Sequence, residues 1–368
     1  MRTFFEATLL AGSMLAVAAT AAAGTADIPR RPDGRPDLTG TYNVATLTPL
    51  QRPRELGDRL TLTDEEAKAL AEKWQANLAK DATPSDPNRE APPEGGVDVY
   101  VPEFSGAAGK VGGYNAFFVD IGDNAFKLDG KWRTSIITQP ENGRLPAISD
   151  AGKQRMAAHP TLRYRGHENT GTAWWIDLEV GPYDDPELRP VSERCLLGFG
   201  STAGPPALPV MYNNLKRIVQ SDDSVMILNE MNHDARIIRL NAEHPPAEIR
   251  KWMGDSVGHW EGDTLVVETT NFRSDDDLMA SPERRVIERF SRIDGDTLRY
   301  QFTVEDPNTW VEPWSGEYPW PAAAGDERVY EYACHEGNHS FAGILRGARV
   351  LESDAEQAPA KGGSSGEE

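Results

Sequence analysis

Apolar and polar residues alternate in short runs from Leu215 onward. Tyr300, Phe302 and Val304 interleave with Arg299, Gln301, Thr303 and Glu305, so that segment has one dry and one wet face. The same periodicity predicts strands over 217–220, 224–230, 236–240, 257–260, 265–270, 284–293 and 298–306. Two acidic-Gly-Asp turn signals, Glu261-Gly262-Asp263 and Asp294-Gly295-Asp296, sit 33 residues apart. Glycine supplies the positive φ of a tight hairpin and aspartate tolerates it. The expected fold is therefore mainly β: an antiparallel meander over 211–350 forming a barrel or sandwich, lipocalin-like by fold analogy. Residues 327–350 are expected to close the sheet.

The first half reads differently. Thr63-Asp64-Glu65-Glu66 is a capping box, and Ala67, Leu70, Ala71, Trp74 and Leu78 follow at helical spacing. Residues 82–96 are a proline-rich loop. Two or three strands are expected over 114–118 and 126–137, turning at Asp129-Gly130. Ser149 caps a short helix to about Ala158, and Trp174 and Trp175 are expected to be buried. Residues 27–210 thus supply an arm, a helix and strands that pack on the core.

The ends carry targeting and solubility signals. Arg2 precedes an apolar, alanine-rich run from Thr8 to Ala23, with small residues at Ala21, Ala23 and Ala26. This is a signal-peptide pattern over 1–23, and it places the mature chain in the periplasm or outside the cell. No later run is apolar enough to span a bilayer. Residues 351–368 are acidic and rich in small polar residues, which predicts a disordered tail.

The formal charge is −20, from 38 basic and 58 acidic residues. That balance argues against nucleic acid and anionic membrane as partners. The two cysteines, Cys195 and Cys334, are expected to pair in an exported chain. No phosphate loop, dinucleotide fingerprint or haem-attachment motif is present, so no cofactor is expected.

The run GDSVGHWEGDTLVVETTNF (254–272) resembles the signature of an uncharacterised family of exported bacterial proteins. The similarity extends to GGYNAFF (112–118), RTS (133–135), RCL (194–196), VEDPNTWVEPW (304–314) and YEYACHEGN (330–338). It implies membership of a group without an assigned reaction. The chain departs from the pattern at His339, where an aromatic residue is usual.

Candidate chemistry falls in three places. His335-Glu336-Gly337-Asn338-His339 has the letters of a zinc-protease helix, with Glu336 as base. Gly337 and Asn338 are poor mid-helix residues, and the competing reading is a turn after a disulfide-bonded strand. Asp255, Ser256, His259 and Glu261 cluster without a nucleophile elbow, and in a strand Ser256 and His259 point to opposite faces. Glu230, Asn232, His233 and Arg236 lie between two strands, at a barrel mouth or in a solvated loop. The expected ligand-binding residues are Glu230, His233 and Arg236, with His259, His335 and Glu336 as acid–base candidates. Arg133 and Arg194 are anion binders or surface ion-pair partners. Trp310, Trp314 and Trp320 form either a stacking platform or core. Three functions follow as expectations: an exported barrel binding a small, partly apolar organic ligand, with or without lyase, isomerase or hydrolase activity; an envelope interaction protein without a cavity; or a zinc hydrolase.

Overall fold

The computed structural model describes residues 28–81, 88, 120–158, 171–198, 204–273, 280–325 and 327–357. Residues 1–23, expected to be a signal peptide, and the 112–118 motif lie outside them. The fold is mainly β. A curled ten-stranded sheet forms a half-barrel, in the order β1-β6-β7-β8-β9-β10-β11-β12-β13-β5. The strands are β1 (Gly40–Asn43), β5 (Ile137–Gln139), β6 (Leu215–Gln220), β7 (Ser224–Asn229), β8 (Ala235–Leu240), β9 (Asp255–Glu261), β10 (Thr264–Thr270), β11 (Arg285–Arg292), β12 (Thr297–Glu305) and β13 (Trp314–Pro321). A small second sheet joins β2 (Thr61–Leu62), β3 (Lys127–Leu128) and β4 (Lys131–Arg133).

All seven strands expected from the alternation are present, β6 to β12. The meander is not wholly antiparallel, however. β8 and β9 run parallel, with Ile238 beside Ser256 and Leu240 beside Gly258. Residues 241–254 make the crossover that a parallel pair requires. The eighth strand, β13, is hidden in the sequence by Pro319 and Pro321. Its alternation is aromatic: Trp314, Tyr318 and Trp320 face inward, with Gly316 between them. Among the described residues, the prolines fall where β13 has β12 on one side and only the Tyr42–Ala322 bridge on the other, since β5 pairs with Ser315 and Gly316 alone. A missing N–H costs little there.

The two similar turns differ in form. In the first, Gly262 (φ 58°) and Asp263 make a two-residue loop between Glu261 and Thr264. In the second, the Asp294 carboxylate accepts from the amides of Asp296 and Thr297 and closes a wider loop.

The concave face is filled. Phe290, Leu298, Tyr300, Phe302, Tyr318 and Trp320 pack there with Tyr42 of β1. Residues 204–208 lie inside the curve, where Ala207 and Leu208 join the same core. The Ala207 amide donates to the Tyr300 hydroxyl (2.9 Å), and the Tyr318 hydroxyl donates to the Ala207 carbonyl (2.7 Å). A hollow barrel is thus replaced by a half-barrel plugged with its own chain. Trp310, Trp314 and Trp320 are core, not a platform.

Helix α1 (Asp64–Asp81) starts at the expected capping box: Thr63 Oγ1 accepts from the Glu66 amide, and Glu66 accepts from the Thr63 amide (2.8 Å). Helix α2 (Asp150–Ala158) is capped by Ser149. The C-terminal segment corrects two expectations. Residues 327–350 add no strand; they form an irregular stretch, a single turn α3 (Cys334–Gly337) and helix α4 (His339–Gln357). Residues 351–357 are therefore helical where composition predicts disorder. Amphipathic α4 finds a face to bury: Ala348 and Leu351 pack on Ala173, Trp175 and Tyr183 in a small satellite core, and Trp175 Nε1 donates to Glu352 (2.6 Å). None of the described helices is long and apolar enough to cross a membrane.

Candidate functional site

Buried charge on the concave face is concentrated in two groups. Arg236 on β8 and Glu288 on β11 form an ion pair inside the sheet, and Arg236 Nη2 lies 2.9 Å from Glu288 Oε1. The Tyr300 hydroxyl donates to the same carboxylate (2.8 Å). Arg236 also reaches Thr269, whose hydroxyl shares a hydrogen bond with Ser256 (2.8 Å). Burial alone would lower the Arg236 pKa, but Glu288 raises it on balance; burial and Glu288 push Tyr300 well up. Every member has a partner, so this is a pinned structural chain that ends on the plug at Ala207. Arg236, expected at a ligand site, is a core residue.

The second group lies at the end of β6 and β7. Lys216 points inward opposite Tyr42 and Asn229 and is fully buried. Burial lowers its pKa to about 7, against the raising influence of Glu230 and Asp234. Glu230 is itself pushed up by burial, although it accepts from the Leu215 amide (3.2 Å). Burial pushes Asp234 up to about 6. In front of Glu230 a cleft of about 310 Å³ opens between Asp120, Tyr212 and Asn213 on one side and Glu327, Arg328 and Tyr330 on the other. Sequence reasoning finds Glu230 but passes over Lys216, which reads as one polar residue in an alternating strand. Its inward parity relative to Ile218 and Gln220 is the available signal.

The six expected site residues do not converge. His259 is exposed on the convex face of β9, 3.2 Å from Glu261, while Ser256 faces inward as the strand parity predicts. His335 and Glu336 are exposed on α3. The zinc-protease helix is not formed. The helix breaks at Asn338 (φ −82°, ψ 54°), so His335 and His339 lie on separate helices. Among the described residues no cluster of ligating side chains suits a metal ion.

His233, by contrast, holds the C-terminal arm. The Tyr332 amide donates to His233 Nε2 (2.9 Å), which also lies 3.1 Å from the Tyr330 carbonyl. Asn232 Nδ2 donates to the Cys195 carbonyl (3.1 Å), and Cys195 is disulfide-bonded to Cys334. The Gly198 amide donates to Asp234 (3.1 Å). The turn 230–234 is thus where the satellite docks on the sheet. Arg133 pairs with Glu317 (3.3 Å), and Arg194 lies 3.9 Å from Glu187, so neither is a free anion site.

The 254–272 run is accounted for by structure. Gly254 takes φ 73°, and a Cβ there would lie 2.7 Å from Thr269 and the Thr270 carbonyl. Asp255 is buried among Arg239 (2.7 Å), His244 (3.0 Å) and Lys251 (2.6 Å). Burial would raise its pKa, but these three partners hold it below the ordinary carboxylate value. A Cβ on Gly258 would lie 2.9 Å from Ile238 across the parallel pair. No family model, curated protein or solved structure matches the chain.

Proposed function

We propose that this is an exported binding protein for a small, partly apolar organic molecule, held in the cleft before Glu230. The observation that carries the reading is the placement of Lys216, Glu230 and Asp234 together behind that cleft. Buried ionisable groups with shifted pKa values cost stability and collect at functional sites. Tyr212 and Tyr330 offer apolar faces, and Asp120, Glu230 and Glu327 outnumber Arg328. That lining suits a ligand with an aromatic or alicyclic body and a hydrogen-bonding or cationic group. The disulfide fits an oxidising compartment.

A second reading, an envelope interaction protein, is favoured by the filled concave face and by the outward position of His259, His335 and Glu336. Thermal-shift screening against amine-bearing and neutral metabolites separates the two. The first reading expects a concentration-dependent rise in melting temperature that Glu230→Gln and Asn213→Leu both reduce. A rise that both variants retain places binding elsewhere. No rise with any compound favours the second.

A further inference from the structure

We propose that the Cys195–Cys334 disulfide is a redox latch, and that the irregular stretch 327–333 is a strap it holds across the Glu230 cleft. The inference concerns the arm itself and does not depend on a ligand being bound. Glu327, Arg328 and Tyr330 form one wall of the cleft, yet the stretch joins no strand of the sheet. It is held at His233 by the Tyr332 amide and near Asn43 by a long contact to Glu327 (3.4 Å). The next fixed point along the chain is Cys334, bonded to Cys195.

The anchor is conformationally loaded. Cys195 (φ 57°), Asn232 (φ 61°) and His233 (φ 52°) all take left-handed backbone, and Asn232 bonds directly to Cys195. Such conformations in non-glycine residues persist where the surroundings impose them. Breaking the bond removes one of those impositions.

The disulfide is also reachable and polarised. It borders an open cleft of about 450 Å³ lined by Ser192, Glu193, Tyr332, Asn338 and Phe341. Both cysteines line that cleft; Cys334 is half-buried and Cys195 buried, so Cys334 is the more accessible residue of the pair. Asn338 Nδ2 lies 3.4 Å from Cys195 Sγ and donates to it. A donor there stabilises a leaving Cys195 thiolate. The reductant is a dithiol. One of its thiolates attacks Cys334 Sγ, forming a mixed disulfide and expelling the Cys195 thiolate. Its second thiolate then attacks the reductant's sulfur in the mixed disulfide and expels the Cys334 thiolate. The dithiol ends as a disulfide, and its two protons end on the two cysteines.

The test is hydrogen exchange on the full chain, oxidised, reduced with dithiothreitol and alkylated, and as the Cys195→Ser/Cys334→Ser double variant. The expected result is at least a ten-fold loss of protection at the Tyr332 amide and through 334–338 in both reduced forms, with β9 to β12 unchanged. Equal protection with and without the bond overturns the latch. Loss of protection throughout the sheet also overturns it, because the bond would then be a requirement of the fold. Reduction kinetics supply a second readout: Asn338→Leu is expected to slow reduction several-fold in the otherwise folded protein, and an unchanged rate overturns the polarising role.

Discussion

At Lys216 the fold keeps an ammonium group out of water, and it does so with two carboxylates that burial also penalises. The lysine titrates near 7 instead of 10.5. Between those values the unfolded chain binds more protons than the folded one, so stability rises with pH there; below 7 the penalty is fully present. It amounts to several kcal/mol. Urea unfolding at pH 7, 8 and 9 should show stability climbing in the native protein and a flatter profile in Lys216→Met. Asp255 works in the opposite window. Its pKa is held below 3.8, so its contribution is present above that value and is lost as pH falls through the lower, folded one. Asp255→Asn should weaken the protein at pH 7 and blunt the remaining fall in stability on acidification, measured by the same method. In the Arg236–Glu288 pair both groups are buried, and removing one strands the other. Glu288→Ala should cost about 3–5 kcal/mol in chemical denaturation.

The elements repeat this division between what shows in the sequence and what does not. Strands β6 to β12 were legible because one face of each is dry and the other wet, and the α1 capping box because its two hydrogen bonds need only local residues. β13 was not, because its prolines are permitted by the lack of a neighbour on half its length, which only the assembled sheet reveals. α4 is not legible as a helix, reading as sheet to 350 and as disordered tail beyond, because its partners, Ala173, Trp175 and Tyr183, lie more than 150 positions earlier in the chain. In the candidate site, Glu230 and His233 stood out as polar residues at a strand junction, whereas Lys216 looked like ordinary alternation. His259 drew attention through its neighbours in sequence, all of which have structural duties. Glycine offers a direct check on the 254–272 segment. Gly254→Ala faces both a left-handed φ and a backbone clash, while Gly262→Ala faces the φ alone. The first should lose about 2–4 kcal/mol and the second about 1–2, compared by equilibrium unfolding.

As a whole, the molecule is a plugged half-barrel with a satellite tied to one end. The aromatic core belongs to the sheet, and the small Trp175 core belongs to the satellite. A chain ending at residue 325 should keep the near-ultraviolet signal of the sheet's aromatic core and its β-type far-ultraviolet spectrum, and should lose the helical contribution of α3 and α4 together with the smaller aromatic contribution of Trp175 and Tyr183, which pack on α4. Collapse of the near-ultraviolet signal would show that the arm is part of the core.

The outermost strands have a consequence for synthesis. β1 pairs with β6, which lies some 175 residues further along, and among the described residues β5 pairs only with β13, at about the same remove. As the polypeptide leaves the ribosome, the amino-terminal strands therefore emerge long before their partners exist. The central strands can zip neighbour to neighbour, but both margins wait for the carboxyl half, so chains interrupted before Trp314 would present sticky, unmated borders to one another.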